Sequence, residues 1–290
     1  MKHHPLTVHP AVLFGCFAAV LGFAMFLLHP LCLLLSLSGA VWCLLCLGGG
    51  KALKESIRFA LPAGLTALVL GVLFNHRGQT VLFYLPGGNP CTLESLCYAA
   101  AACALLVSML LWFSCCTRVL TTDHFTYLFS RISPALALLF SMTLRFLPQF
   151  RRRFLAVRAL QSEKQGRLQK LKVAFLCFFA VVAWALERAG ETAASMKGRG
   201  YGLPGRTSFS VFSQTARDRL LLGGLAVCVL CVLCGCVTGL FGITYSPALM
   251  AQPWTNAHSC AFLGFAVLCT YPVLILKLEE KPWRYSKSGT

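Results

Sequence analysis

Acidic side chains are scarce in this sequence, with only nine Asp and Glu residues among 290. General acid–base catalysis therefore has few candidate groups. The sequence also lacks the Gly-x-x-x-x-Gly-Lys-[Ser/Thr] loop that binds ATP phosphates and the His-Glu-x-x-His motif of zinc hydrolases. We therefore expect no ATP binding, no metal site and no enzyme activity from this chain itself.

Charged residues of either sign make up 12% of the chain, whereas soluble proteins contain about a quarter. Hydrophobic residues make up 57%, and mean hydropathy is +0.72. Six apolar runs approach the roughly 20 residues of a membrane-spanning helix. They are Ala11–Leu28, Leu31–Leu47, Phe59–Phe74, Thr92–Cys116, Leu220–Ile243 and Ala261–Leu276. This pattern predicts an all-α polytopic membrane protein of about six transmembrane helices, the first two forming a tight hairpin around His29-Pro30.

Basic residues concentrate in residues 117–219, which hold 17 of the 26 Lys and Arg residues. The apolar runs there, Pro134–Leu144 and Val173–Leu186, have 11 and 14 residues, too few to span a membrane. Because cytoplasmic segments are enriched in Lys and Arg, we expect long cytoplasmic amphipathic helices between the fourth and fifth spans. The expected parts are residues 1–116, 117–219 and 220–290, with both termini cytoplasmic. Membrane embedding argues against nucleic acid as a partner of this basic chain.

The segment from Trp184 to Arg206 has the clearest helix pattern. Five residues recur every three or four positions and form one seam: Val181, Ala185, Ala189, Thr192 and Met196. Arg188 and Arg199 lie eleven residues apart and project from nearly the same side. Gly200 favours a left-handed helix stop. A guanidinium fixed at a helix end recognises a carboxylate on another protein. An amphipathic helix lying on a membrane surface is the alternative.

Several motifs in this half of the chain resemble one membrane family. Ser195–Tyr201, S-M-K-G-R-G-Y, resembles the A-M-x-A-R-G-[YF] signature of the T component of energy-coupling-factor (ECF) transporters, the CbiQ-like family. Leu186–Glu191, L-E-R-A-G-E, resembles its L-x-R-A-E-x run, with Gly190 where Glu is usual. Leu144–Pro148, L-R-F-L-P, and Gly202–Thr207 match further pieces in the expected order.

The resemblance implies a transmembrane coupling subunit of an ABC-type importer in a prokaryotic cell membrane. Such a subunit has two ABC-type ATPase partners, which bind ATP and Mg²⁺, and a small substrate-binding S component. The resemblance places ATPase docking at Arg199, flanked by Gly198 and Gly200. Supporting residues on the coupling helices are Arg188, Glu187, Arg145 and Pro148. The transported substrate that the resemblance implies is first a vitamin and second a transition-metal ion such as cobalt.

The family's first docking motif, A-Q-x-A-R-G, fits this sequence less well. Aligning it on Gln161 places Lys164 in the Arg position. Lysine keeps the positive charge but loses the bidentate fork of arginine. Arg158 or Arg167 is the alternative docking residue.

Cysteine and histidine offer the other chemical candidates. Of 16 Cys, the Cys43-x-x-Cys46 and Cys231-x-x-Cys234-x-Cys236 clusters have metal-like spacing but lie inside apolar spans, where we expect packing and no disulfides. His3, His4 and His9 are expected to be loose surface residues. The remaining functional alternative is a membrane-embedded enzyme whose basic face holds a lipid or prenyl phosphate. Such an enzyme requires acidic or metal-binding residues at a cavity.

Overall fold

The computed structural model describes residues 8–75, 78–84, 90–160, 167–204, 214–245, 250–251 and 255–287. Within those residues the chain is mainly α-helical. The helices are α1 Pro10–Phe26, α2 Pro30–Phe74, α3 Leu93–Val119, α4 Thr122–Ile132, α5 Pro134–Leu160, α6 Arg167–Gly198, α7 Ala216–Val237 and α8 Asn256–Lys287. The strands form two short antiparallel pairs: β1 Val81–Tyr84 with β2 Pro90–Thr92, and β3 Ile243–Thr244 with β4 Met250–Ala251.

Two compact units divide the chain. One comprises Met1–Thr122 and Phe212–Thr290, and the other comprises Asp123–Val211. In the first unit, α2 packs extensively on α3 and α8, and α7 packs on α8. In the second unit, α5 packs on α6. The division into three parts at residues 116 and 219 stays a prediction.

His-Pro pairs begin the first two helices. The Nδ1 atoms of His9 and His29 accept hydrogen bonds from the backbone N–H groups of Ala11 and Leu31, at 3.2 and 3.3 Å. The following prolines suit the first helical position because that residue needs no N–H. His9 is 1% exposed, so its expected place on the surface was wrong. His3 and His4 lie outside the described residues. Burial and then the neighbouring His258 lower the pKa of His29.

The expected tight hairpin between the first two spans was also wrong. α1 contacts α2 only slightly and packs mainly on α3, α7 and α8. The helices are joined by Leu27–His29, whose backbone is extended at Leu27 and His29. The two helices therefore make few contacts with each other despite the short connection.

The second and third predicted spans lie in the single long element α2. Gly49, with φ 62° and ψ −160°, interrupts the helical backbone within it. A positive φ is accessible to glycine at little cost, because glycine has no Cβ. The Gly48–Gly50 run therefore breaks the helix between the two apolar runs, and Lys51, Lys54 and Arg58 follow this break.

A buried polar network joins α2 and α3 in the core of the first unit. The indole Nε1 of Trp112 donates a hydrogen bond to Ser36 Oγ at 3.0 Å, and Ser36 Oγ lies 3.1 Å from Ser108 Oγ. All three residues are buried. Small and hydroxyl-bearing residues allow close helix packing while satisfying each other's polar groups, as is common between membrane helices.

The next polar cluster fixes the start of α7. Asp218 Oδ2 accepts hydrogen bonds from the backbone N–H and hydroxyl of Thr215 at 3.0 and 2.7 Å, forming a capping box. Its Oδ1 accepts a hydrogen bond from the backbone N–H of His9 at 3.4 Å. Asp218 therefore joins the start of α7 to the residue that caps α1.

In the part of the chain that the structure describes, five helices are long and apolar enough to cross a membrane. They are Pro30–Phe74, Leu93–Val119, Lys172–Gly198, Ala216–Val237 and Asn256–Leu278. The chain is therefore a predominantly α-helical polytopic membrane protein. α1, with 17 residues, is shorter than these, because the His-Pro pairs bound it on both sides. The apolar runs of residues 117–219 were expected to be too short to cross a membrane, and Lys172–Gly198 departs from that expectation by its length and composition.

All sixteen cysteines are free thiols. Cys43 is buried, but Cys231, Cys234 and Cys236 are exposed, so these three do not pack in the core as expected. Within the described residues, no three His, Cys, Asp or Glu side chains are grouped as metal ligands.

Candidate functional site

The candidate site lies in the second unit, where α5 and α6 pack together. Val181, Ala185, Thr192 and Met196 of the predicted seam are half-buried, whereas Ala189 is exposed. The periodicity therefore identified the contact face of α6 at four of its five positions. This contact fixes which side of α6 faces α5.

Two hydrogen bonds cap the C-terminal end of α6, each from a backbone N–H beyond the helix to a carbonyl of its last turn. The N–H of Tyr201 donates to the carbonyl of Met196 at 3.0 Å, and the N–H of Gly200 donates to that of Lys197 at 3.0 Å. Gly200 has φ 75°, in the left-handed region. This is the Schellman arrangement, which satisfies the last carbonyls of a helix. The predicted stop at Gly200 is confirmed, and Arg199 occupies the C-cap position at the negative end of the helix dipole.

Three arginines surround one cavity of about 420 Å³ between α5 and α6. Arg188 and Arg199 come from α6, and Arg145 comes from α5. The prediction that Arg188 and Arg199 share one side of the helix is confirmed. Arg145, which the sequence supplied only through a resemblance, lines the same cavity.

The charge balance of this arginine cavity is positive. Glu191 also lines it and forms an ion pair with Arg188, with Nη1 and Oε2 separated by 2.7 Å. Both side chains are more than half exposed, so water screens the pair and it stabilises the fold little. Among the described residues, neither Arg145 nor Arg199 forms an ion pair. These two guanidiniums leave the cavity able to bind a carboxylate or another anion.

The other predicted site residues lie in different places. Gly198 is the last residue of α6, and Glu187 is exposed outside the lining of the arginine cavity. Pro148 lies inside α5 and borders a separate groove. Gln161 and Lys164 lie outside the described residues, so the first docking motif stays a prediction.

Sequence reasoning missed the aromatic contact that joins α5 to α6. The rings of Phe150 and Trp184 meet edge to face with centroids 6.0 Å apart. The guanidinium of Arg153 lies 5.9 Å from the centre of the Trp184 ring, a distance typical of a cation–π contact. Trp184 precedes Arg188 by one helical turn, so the contact supports the part of α6 that carries the site. The sequence signal for this contact was Trp184 itself, the single Trp of the segment from Trp184 to Arg206.

A larger cavity of about 850 Å³ lies in the first unit. Its acidic lining residue is Glu94, whose carboxylate accepts hydrogen bonds from the backbone N–H of Thr80 at 3.3 Å and from its hydroxyl at 2.7 Å. Tyr98 and Tyr245 also line this cavity. Because Glu94 is held by Thr80 at the start of α3, its position fits a structural role better than acid–base catalysis.

No protein-family model matches this chain, and no curated protein matches it either. The functional interpretation therefore rests on the quoted motifs and on the geometry of α5 and α6.

Proposed function

We propose that this chain is the transmembrane coupling subunit, the T component, of an ECF-type importer in a prokaryotic cell membrane. Two ABC-type ATPase subunits would hydrolyse ATP with Mg²⁺, and a separate small S component would bind the substrate. The chain would transmit motion between them. The substrate class implied by the family is vitamins, with transition-metal ions second, and the S component would choose it.

The observation that supports docking best is the fixed position of Arg199. Its backbone lies between a continuous helix and the left-handed Gly200, and its side chain borders a cavity that two further arginines share. A helix end that is closed in this way fixes the backbone of Arg199 and the direction of its Cα–Cβ bond. An acidic side chain of a partner ATPase would therefore meet a guanidinium carried on an ordered backbone, which lowers the backbone part of the entropy cost of binding.

The second half of the proposal concerns transmission of motion. α5 and α6 have 27 and 32 residues and share a half-buried contact face. Packed helices shift between discrete arrangements rather than bending continuously. Movement of an ATPase bound at Arg199 would therefore displace α6 as a body. Lys164 would make the equivalent contact with the second ATPase subunit.

The proposed topology has six spans with both termini in the cytoplasm. It counts α1, the two parts of α2 on either side of Gly49, α3, α7 and α8. The basic residues that follow Gly49 and those of residues 117–219 then lie on one side, as the positive-inside rule favours. The helices α5 and α6 would belong to the cytoplasmic coupling region.

The decisive experiment is affinity purification of the tagged chain from its native membrane, with partners identified by mass spectrometry. We expect one or two ABC-type ATPases and a small membrane protein. Recovery of the chain alone under gentle detergent would contradict the coupling function. The basic surface would then have to be tested as a substrate site for a lipid or prenyl phosphate.

The residue-level test compares Arg199→Glu with Lys197→Glu. Both side chains are exposed, two residues apart, and both substitutions change the charge equally, but Lys197 does not line the arginine cavity. Losing a close interfacial charge pair costs about 2–5 kcal/mol. We therefore expect Arg199→Glu to abolish ATPase recovery and transport without affecting membrane insertion. Lys197→Glu should retain most of both. Equal effects of the two variants would show that Arg199 has no special role.

A further inference from the structure

A second groove between α5 and α6 is separate from the arginine cavity. Its volume is about 960 Å³, and large apolar side chains form most of its wall. Leu147, Leu155 and Phe178 in this wall are 64%, 51% and 57% exposed. In water, so much apolar surface is unfavourable by about 25 cal/mol for each Å². In a membrane protein, lipid acyl chains can cover such a surface at little cost.

Two arginines, Arg151 and Arg152, border this apolar groove. The whole of α5 carries five arginines and no Asp or Glu, so its own sequence offers them no counter-ion. Within the described part of the chain, neither Arg151 nor Arg152 forms an ion pair. The next residue, Arg153, differs because it lies against Trp184. The groove therefore joins an apolar wall to two guanidiniums that have no acidic partner there.

The neighbouring helix makes a membrane occupant the best fit for this groove. Lys172–Gly198 of α6 has a mean hydropathy of 1.7 over its most apolar window, and only 6% of that window is buried within the protein. Phe178 and Val182 of the groove belong to this helix. Most of the apolar surface of α6 is therefore left uncovered by the rest of the chain, and lipid acyl chains match it chemically.

We propose that the groove binds one anionic phospholipid. Its acyl chain would lie along Leu147, Leu155 and Phe178, and its phosphate would accept hydrogen bonds from Arg151 and Arg152. Arginine suits this position because its planar fork binds phosphate in a bidentate manner. This inference goes beyond ATPase docking and does not depend on it, because the docking site uses the arginine cavity.

The test is a titration of phosphatidylglycerol against the full chain in detergent, followed by native mass spectrometry, with phosphatidylcholine in parallel. The variant Arg151→Gln/Arg152→Gln removes both proposed phosphate contacts. The charge-matched control is Lys172→Gln/Lys197→Gln, which removes two exposed cations from the neighbouring helix α6 outside the groove. All four positions are exposed, so the variants should fold alike.

We expect one molecule of phosphatidylglycerol to bind more tightly than phosphatidylcholine. Binding should weaken about 30-fold in Arg151→Gln/Arg152→Gln, the effect expected for two cationic contacts with an anionic lipid. It should remain within about twofold of wild type in the control. Leu155→Asn, which places a polar group in the apolar wall, should also weaken binding. Inorganic phosphate should not displace the lipid, because it lacks the acyl chains.

Three results would overturn the proposal. Equal loss in both double variants would show diffuse attraction to the basic surface. Equal binding of the two phospholipids would show that the groove recognises only acyl chains. Displacement by inorganic phosphate would show a site for small anions. ATPase recovery measured on the same samples separates these outcomes from a failure of the coupling function.

Discussion

The left-handed backbone of Gly200 allows a direct test of whether the end of α6 positions Arg199 for a partner. An alanine at this position would have to adopt φ 75°, which costs an L-residue roughly 1–2 kcal/mol. Its Cβ would also lie 3.0 Å from Cδ1 of Leu203. Leu203 is 67% exposed, so its side chain can move away, and the backbone term should dominate.

A penalty of this size lowers the population of the native helix end about 5- to 30-fold relative to alternatives. Gly200→Ala should therefore reduce recovery of the partner ATPase per inserted chain, by up to that factor. The measurement is quantitative mass spectrometry of the ATPase after affinity purification, normalised to the amount of the tagged chain.

Gly198 provides the matched control, because it is helical and no atom lies within 4 Å of the Cβ that an alanine would add. Gly198→Ala should keep full ATPase recovery, since alanine is the better helix former. Gly200→Asn should recover part of the loss, because asparagine tolerates the left-handed region. If Gly200→Ala recovers as much ATPase as Gly198→Ala, the geometry of the helix end does not govern docking.

Two further predictions concern the first unit, and both are measured as thermal unfolding in detergent. Asp218→Ala removes the carboxylate half of the capping box of α7 and should destabilise the protein by about 1 kcal/mol, whereas Asp218→Asn should retain most of that stability. Equal unfolding midpoints for Asp218→Ala and the unaltered protein would refute the capping role. Because the pKa of His29 is lowered by burial and by His258, the unfolded chain binds protons more readily, and stability should fall as the pH drops below about 6.5. His29→Asn keeps an acceptor for the N–H of Leu31 but does not titrate, so an unchanged pH slope would contradict this role.

Local rules predicted those parts of the fold that depend on neighbouring residues. The break at Gly49, the start of α3 after Thr92 and the stop at Gly200 all follow from backbone preferences of single residues. Apolar run lengths located the helices of the first unit, although α1 is shorter than a spanning helix.

Contacts between helices could not be predicted in the same way. Periodicity showed which face of α6 is buried, but it did not show that Arg145 of α5 meets Arg188 and Arg199 at one cavity. That meeting depends on how two helices pack, which is set by side chains far apart in sequence. The buried position of His9 has the same origin, because its backbone N–H reaches Asp218 on α7. Sequence patterns therefore identified the chemical groups of the site more completely than their arrangement.

Whether α6 crosses the membrane depends on the length of its apolar part and not on the length of the whole helix. Lys172–Gly198 has 27 residues, enough for about 40 Å of helix. Its uninterrupted apolar run, Val173–Leu186, has only 14 residues and covers about 21 Å, less than the roughly 30 Å hydrocarbon core. Glu187, Arg188 and Glu191 follow at once, and all three are exposed.

If Lys172–Gly198 crossed the bilayer, these charged residues would therefore enter the hydrocarbon region. A single Arg at the centre of a membrane helix costs about 2.5–3.5 kcal/mol on insertion scales. The ion pair between Arg188 and Glu191 would offset only part of the insertion cost of these charged residues. A helix that lies at the membrane surface avoids it, with its apolar run against acyl chains and its charged end in water. That arrangement keeps Arg199 accessible to a soluble ATPase, and it places the groove beside Arg151 and Arg152 within reach of a phospholipid. The docking and lipid proposals therefore require the same placement of α6.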